Sequence, residues 1–264
     1  MESASKVILV RHAESEANHV YRKLKEQGDI FASVKFNEEL IDCSITSDGI
    51  QQAQRAAAIL KPHNIKIVIT SPLQRCLQTT KYIFKDHPSN PRIIVEPLIS
   101  EMGDLSSSIP KDLKQRLEDF SDFDFSALDK FPDKHLWFFE TMIEETLKED
   151  LLKELKKQFP TVEEQDEKAG YWFLRLIKEN PAIAETHLGM LKRVATFRQE
   201  LESRVKELKE GEKLAVVGHS QFLRMLTAKE FNEVGKPLDG KHFTNCEAVE
   251  FDLKTNEYRS LQDN

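Results

Sequence analysis

Apolar runs four to six residues long recur along the chain, separated by stretches with helical spacing. Val7 to Val10, Ile67 to Thr70 and Leu214 to Val217 are nearly continuous, and Ile93 to Val95 is a shorter run of the same kind. Uninterrupted β-branched and aliphatic runs predict parallel strands buried on both faces. The run from Ala248 to Leu253 alternates instead, Val249 and Phe251 against Glu250 and Asp252, which predicts a half-exposed strand nearer an edge. Strands alternating with helical segments predict an α/β layered fold.

Helix starts are marked by capping residues. In TSDGIQQAQRAAAIL, Thr46 or Ser47 is placed to cap an Ala-rich helix that ends before Pro62. In SPLQRCLQTTKYIF, Ser71 is expected at the cap and Pro72 at the first helical position, where its missing N–H costs nothing. GHSQFLRMLTAKEF begins a helix where the Leu214–Val217 run stops.

From about 105 to 210 the pattern changes to helical spacing with many charges and a dense aromatic set that includes Phe120, Trp137, Phe138, Phe139 and Phe173. EETLKEDLLKELKKQF puts Leu147, Leu151 and Leu155 on one face, with Glu144–Lys148 and Glu149–Lys153 as exposed pairs four apart. A further apolar stripe runs through Leu191, Val194, Phe197, Leu201, Val205 and Leu208 and stops at Gly211. The expected organisation is one α/β domain over residues 1–264 with a helical insertion at about 105–210 that carries its own aromatic core.

Composition narrows the partners. A net charge of −7 over 264 residues argues against a nucleic-acid or anionic-membrane surface. No apolar run approaches the roughly 20 residues a membrane span needs, and MESASK does not begin a signal peptide. Three cysteines at wide spacing, Cys43, Cys76 and Cys246, read as reduced thiols of a cytoplasmic protein, not as a disulfide framework. The histidines show no metal-ligand spacing, so neither metal nor cofactor is expected.

The polar residues at the strand ends change the picture. Arg11 and His12 follow the first strand, Arg75 falls in the first turn after the second, and His219 ends the Leu214–Val217 run just before a helix. Open α/β sheets bind ligands at these carboxyl ends. Helix N-termini there add N–H donors and a positive dipole. Two arginines and two histidines in one such crevice make an anion site suited to phosphate. Cys76, beside Arg75, reads as a small buried filler.

RHAESEAN resembles the Arg-His-Gly signature of the histidine phosphatase superfamily, with its phosphoglycerate-mutase-like fold. ITSDGIQQA, TSPLQRCLQT and VVGHSQFLRML are similar to that family's later motifs, in the same order, over about residues 6–104 and 186–253. The resemblance implies a three-layer, mostly parallel sheet and a metal-independent phosphatase acting on a small phosphorylated molecule or a phosphoprotein. It implies His12 as the nucleophile, transiently phosphorylated, with Arg11, Arg75 and His219 around the phosphoryl group. Asn18, Arg22 and Ser220 are expected to line the pocket. Leu98 and Glu101 meet the family's Leu-x-x-Glu pattern, which makes Glu101 the expected acid, with Glu96 and Asp104 as neighbours competing for the role.

Two departures stand out: Ala13 replaces the usual glycine, and Ser220 and Gln221 stand where many members have glycines. Phosphoglycerate mutases of the family carry Ser-x-Trp-Asn in the first motif, where this chain has SEAN, and Glu-Arg-His-Tyr-Gly near the acid, where it has SEMGD. Mutase activity is therefore the secondary expectation. A non-catalytic phosphate-binding regulator is the third, weakened because every expected catalytic position holds a chemically competent side chain.

Overall fold

The computed structural model describes residues 5–27 and 32–262; most of the N-terminal MESASK segment lies outside them. Six strands form one sheet: β1 (Val7–Arg11), β2 (Ile65–Thr70), β3 (Arg92–Val95), β4 (Lys213–Gly218), β5 (Ala248–Phe251) and β6 (Tyr258–Ser260). Their order is β3-β2-β4-β1-β5-β6. β1 to β4 run parallel, while β5 is antiparallel to β1 and β6 to β5. The alternating run thus ends at Phe251, and the short polar β6, unmarked by any apolar pattern, covers its outer edge.

Helices flank the sheet: α1 (Glu16–Glu26), α2 (Ala32–Lys35), α3 (Ser47–Leu60), α4 (Gln74–Phe84), α5 (Leu113–Asp119), α6 (Trp137–Met142), α7 (Glu145–Gln158), α8 (Val162–Glu179), α9 (His187–Glu207) and α10 (Ser220–Thr227). Successive strand residues face opposite ways, so each strand feeds two cores. Val7, Leu9, Leu214 and Val216 pack with Val194, Phe197 and Leu201 of α9 and Phe222 and Leu223 of α10. Ile8, Val10, Ala215 and Val217 pack with Ala53, Ala56 and Leu60 of α3 and Ile83 and Phe84 of α4. This is the layered α/β fold expected from the apolar runs.

The helical stretch expected at 105–210 divides in two. α6, α7 and α8 gather with Leu113 of α5 around Trp137, Phe138, Phe139, Leu155 and Phe173, a core of their own. α9 instead returns to the sheet. Leu147 stays 39% exposed, so the Leu147–Leu155 face is buried only at its far end. The Glu149–Lys153 pair forms at 2.7 Å, but Lys148 turns to Glu140 (3.0 Å) and Glu145 (2.7 Å). Glu144 is engaged elsewhere, accepting from the Thr186 hydroxyl at 3.2 Å.

α3 is capped by Thr46, whose Oγ1 accepts from Gly49 N–H at 3.0 Å. Gly49 has to be glycine: a Cβ there would lie 2.3 Å from the Glu14 carbonyl oxygen, so the α3 N-terminus and the segment after His12 could not meet. α4 begins later than expected, at Gln74, and Leu73 supplies no side-chain cap. Asp42, buried and far off in sequence, accepts the Gln74 N–H at 2.7 Å. With that role filled from outside, Ser71 and Pro72 stay ahead of the helix, the Ser71 hydroxyl accepting Leu73 N–H at 3.3 Å.

Candidate active site

Strand register places the site. Arg11 pairs with Gly218 and Val10 with Val217 across the adjacent parallel strands β1 and β4, and Thr70 of β2 lies opposite Val217. His12 and His219 therefore leave neighbouring strands at the same level, and His12 N–H donates to the Gly218 carbonyl at 2.9 Å. Their ring centroids lie 5.2 Å apart, and both side chains are buried.

Hydrogen bonding determines the tautomer of each ring. His12 Nδ1 lies 2.7 Å from the Ala13 carbonyl oxygen, which can only accept, so Nδ1 carries the proton and Nε2 the lone pair. Arg75 Nε–H points at that lone pair from 3.2 Å. Arg75 Nη2 donates to His219 Nδ1 at 3.0 Å, so His219 carries its proton on Nε2, which donates to Ser71 Oγ at 2.8 Å. Arg75 Nη1 donates to the Ser107 carbonyl. One guanidinium thus joins both imidazoles to the loop that follows the acid candidates.

Both rings are held neutral. Burial pushes His12 well below the ordinary imidazole range, and the charges of Arg75 and Arg11 push it further. Burial does the same to His219, followed by Arg75, His12 and Arg11. Arg11 donates from Nη1 to the Phe243 carbonyl at 2.8 Å, while its buried Nε has no partner among the described residues, a donor available to an anion.

The acid candidates separate. Glu96 is buried away from the histidines: it accepts from Leu98 N–H at 3.1 Å and faces Lys130 at 3.7 Å. Glu101 lies against the start of α10, its Oε2 accepting from Gln221 N–H at 3.2 Å, two residues beyond His219. Its other oxygen accepts from Met102 N–H at 3.1 Å. Asp104 is pushed up to about 6, by burial first and by the charge of Glu101 second.

Of the remaining expected residues, Asn18 reaches the site through Asn245. Asn245 Nδ2 donates to the His12 carbonyl at 2.9 Å and to Asn18 Oδ1 at 3.2 Å. Asn18 Oδ1 also receives Ser15 N–H at 3.3 Å in the α1 capping box, leaving the Asn18 amide group as a donor. Ser220 is the half-buried first residue of α10, beside His219. Arg22 is not brought to the histidines: exposed on α1, it pairs with Glu14 and His19. Cys76 is a buried thiol 3.4 Å from His219 Nε2, and burial pushes its pKa up, so it stays protonated.

Several positioning residues were not anticipated. Thr79 Oγ1 accepts from Ala13 N–H at 2.9 Å and donates to the Arg75 carbonyl at 2.6 Å, tying the segment after His12 to α4. Glu14, buried, accepts from Thr46 Oγ1 at 3.1 Å. Asp42 also pairs with buried Arg116 of α5 at 3.3 Å while it caps α4. Thr79 ends the TSPLQRCLQT motif and Glu14 follows Ala13 in RHAESEAN, so proximity to those motifs was their signal. Asp42 and Asn245 have none.

The sequence profile described as histidine phosphatase superfamily (branch 1) matches residues 7–142, from β1 to the end of α6. The chain belongs to the histidine phosphatase superfamily. No curated protein matches it by sequence. Its fold is similar to that of ecdysone phosphate phosphatase from Bombix mori in complex with tungstate, at 14% identity over 96% of this chain and 90% of that one, TM-score 0.51. It is also similar to a mycobacterial glucosyl-3-phosphoglycerate phosphatase complexed with VO3, at 14% identity over 97% of each chain, TM-score 0.50. At such identity the likeness is one of fold. As a histidine phosphatase superfamily member, the chain places the His12 motif and the α4 arginine inside the matched region, and His219 and all of α9 outside it. Among the described residues no helix is long and apolar enough to cross a membrane.

Proposed function

We propose that this protein is a phosphomonoesterase that needs no metal and works through a phosphohistidine at His12, on a small phosphorylated molecule or a phosphoprotein. The observation that carries the reading is the state of His12: buried, neutral, with Nδ1–H bound to the Ala13 carbonyl and the Nε2 lone pair turned towards Arg75. A neutral imidazole with one nitrogen fixed as donor presents the other as a nucleophile.

In the first step Nε2 of His12 attacks phosphorus and a P–N bond forms as the P–O ester bond breaks. The leaving alkoxide takes a proton from Glu101, which lies at the α10 N-terminus beside His219. Arg11 and Arg75 supply fixed positive charge to the equatorial oxygens, the role that divalent cations fill in other phosphoryl-transfer enzymes. Donors matched to that charge are each worth on the order of 3 kcal/mol. His219, with Nδ1 as acceptor and Nε2–H held by Ser71, orients Arg75. In the second step water attacks phosphorus and the P–N bond breaks. The Glu101 carboxylate takes the water proton, inorganic phosphate leaves, and neutral His12 is restored.

A reducing compartment such as the cytoplasm suits three buried, unpaired cysteines. Rapid quenching with a labelled monoester tests the reading: acid-labile, alkali-stable label on the protein is expected, with none on His12→Ala. Label that persists in His12→Ala overturns it.

A further inference from the structure

The turn that carries Glu101 is gripped by two residues that lie outside every quoted motif of the family resemblance. Arg193 of α9 and Glu185, just ahead of α9, are both buried. Arg193 Nη1 donates to the carbonyls of Leu98 (2.6 Å) and Ser100 (2.9 Å), and Nη2 reaches the Glu101 carbonyl at 3.5 Å. Glu185 holds the guanidinium from the other side, with Nε–Oε1 and Nη2–Oε2 both at 2.8 Å. Glu185 Oε2 also accepts Gly103 N–H at 2.9 Å. The pair therefore binds backbone before, at and after the acid candidate. Arg193 also lies over the ring of Phe222, 5.9 Å from its centroid, in the helix whose Gln221 N–H holds the Glu101 carboxylate.

Stability alone is a weak reason for such a pair, because buried ion pairs are often no more stabilising than apolar residues of the same volume. What the guanidinium supplies is a planar fork whose five N–H groups all find acceptors here, a geometry that lysine lacks. We propose that Arg193 and Glu185 are positioning residues for Glu101, setting the turn from which its carboxyl delivers the proton to the leaving group. The proposal rests on the reading of Glu101 as that donor. A displacement of about 1 Å in such a group is enough to cost roughly 100-fold in rate.

The test compares ethyl phosphate, whose alkoxide needs a proton to leave, with p-nitrophenyl phosphate, whose phenolate does not. Arg193→Lys is expected to lower kcat/KM, which reports phosphorylation and not the later hydrolysis that Glu101 also serves, by roughly 10- to 100-fold on ethyl phosphate and by less than about 3-fold on the nitrophenyl ester, with inhibition by vanadate unchanged. Combined with Glu101→Gln it should cause no further loss on ethyl phosphate, because both changes remove the same proton transfer. Equal losses on both esters, or losses that multiply with Glu101→Gln, overturn the proposal. Should Arg193→Lys fail to fold, Arg193→Met with Glu185→Leu removes the grip without leaving an unpaired charge and is read in the same way. Glu101→Gln measured alone keeps the two ideas apart. If it shows no leaving-group dependence, the acid reading and this proposal both fall. If it does and the Arg193 variants do not, only the positioning role falls.

Discussion

Arg75 Nε donates to His12 Nε2 at 3.2 Å, so the nitrogen proposed as nucleophile and a cation proposed to hold the phosphoryl group already touch. The same guanidinium donates to His219 Nδ1 at 3.0 Å, and the helix bearing it starts at an amide held by Asp42. Arg75 is thus the joint between His12, His219 and α4. Arg75→Lys keeps the charge but loses the fork, and it is expected to lower kcat/KM on p-nitrophenyl phosphate by roughly 100-fold or more. Steady-state kinetics near wild type for this variant would remove Arg75 from the phosphoryl clamp.

Hydrolysis should survive chelation. With Arg11 and Arg75 supplying the positive charge, p-nitrophenyl phosphate turnover is expected to be the same within error after dialysis against EDTA. A loss restored by adding back a divalent cation would contradict the proposed mechanism.

Phosphate release should outrun isomerisation. SEAN and SEMGD stand where the mutases of the family carry their own signatures. Given 3-phosphoglycerate and a bisphosphoglycerate primer, the protein is expected to liberate inorganic phosphate or leave the substrate untouched. Phosphorus NMR showing 2-phosphoglycerate formed faster than phosphate would restore the mutase reading.

Acid should unfold the protein partly through the buried histidines His12 and His219. Burial and the neighbouring arginines hold His12 and His219 well below the ordinary value of 6.5, so in the folded state they resist protonation that the unfolded chain accepts. Their contribution to stability is present above about 6.5 and is lost as pH falls below it, with a slope of up to about 1.4 kcal/mol per pH unit for each ring. Urea unfolding of His12→Gln at pH 7 and pH 5 should accordingly show a smaller loss than wild type. Parallel losses in the two proteins would mean that His12 is not held neutral by the fold.

Asp42 should matter for stability as well as for the site. Asp42→Ala removes the acceptor for Gln74 N–H and leaves Arg116 buried without its partner, a change worth about 3–5 kcal/mol. Asp42→Asn keeps an oxygen for the helix amide and should cost less. Denaturant midpoints for the two variants check the order; equal losses would show that capping adds nothing to the ion pair.

Much of this architecture is set by local pattern. Continuous apolar runs produce β1, β2, β3 and β4 because a strand covered on both faces needs an apolar side chain at every position, and that requirement is legible without knowing the neighbours. The same holds for Arg11, His12, Arg75 and His219: each sits at a strand end or in a first helical turn, and parallel pairing brings such ends to one level. Tertiary structure alone decided which partners the isolated polar residues took. Ser71 is a sound helix cap by its local sequence, yet Asp42 arrives from a loop 32 positions away to take the Gln74 amide, and Ser71 goes to His219. The family resemblance implies a pocket role for Arg22, but buried Glu14, just ahead of α1, pairs with it. The stripe from Leu191 to Leu208 reads as part of a separate helical body, whereas α9 closes over the sheet and brings Arg193 to the carbonyls around Glu101. Periodicity reports what a residue needs from its immediate neighbours; a long charged side chain is satisfied by whichever acceptor the folded backbone places within about 3 Å, and only the assembled fold specifies that acceptor.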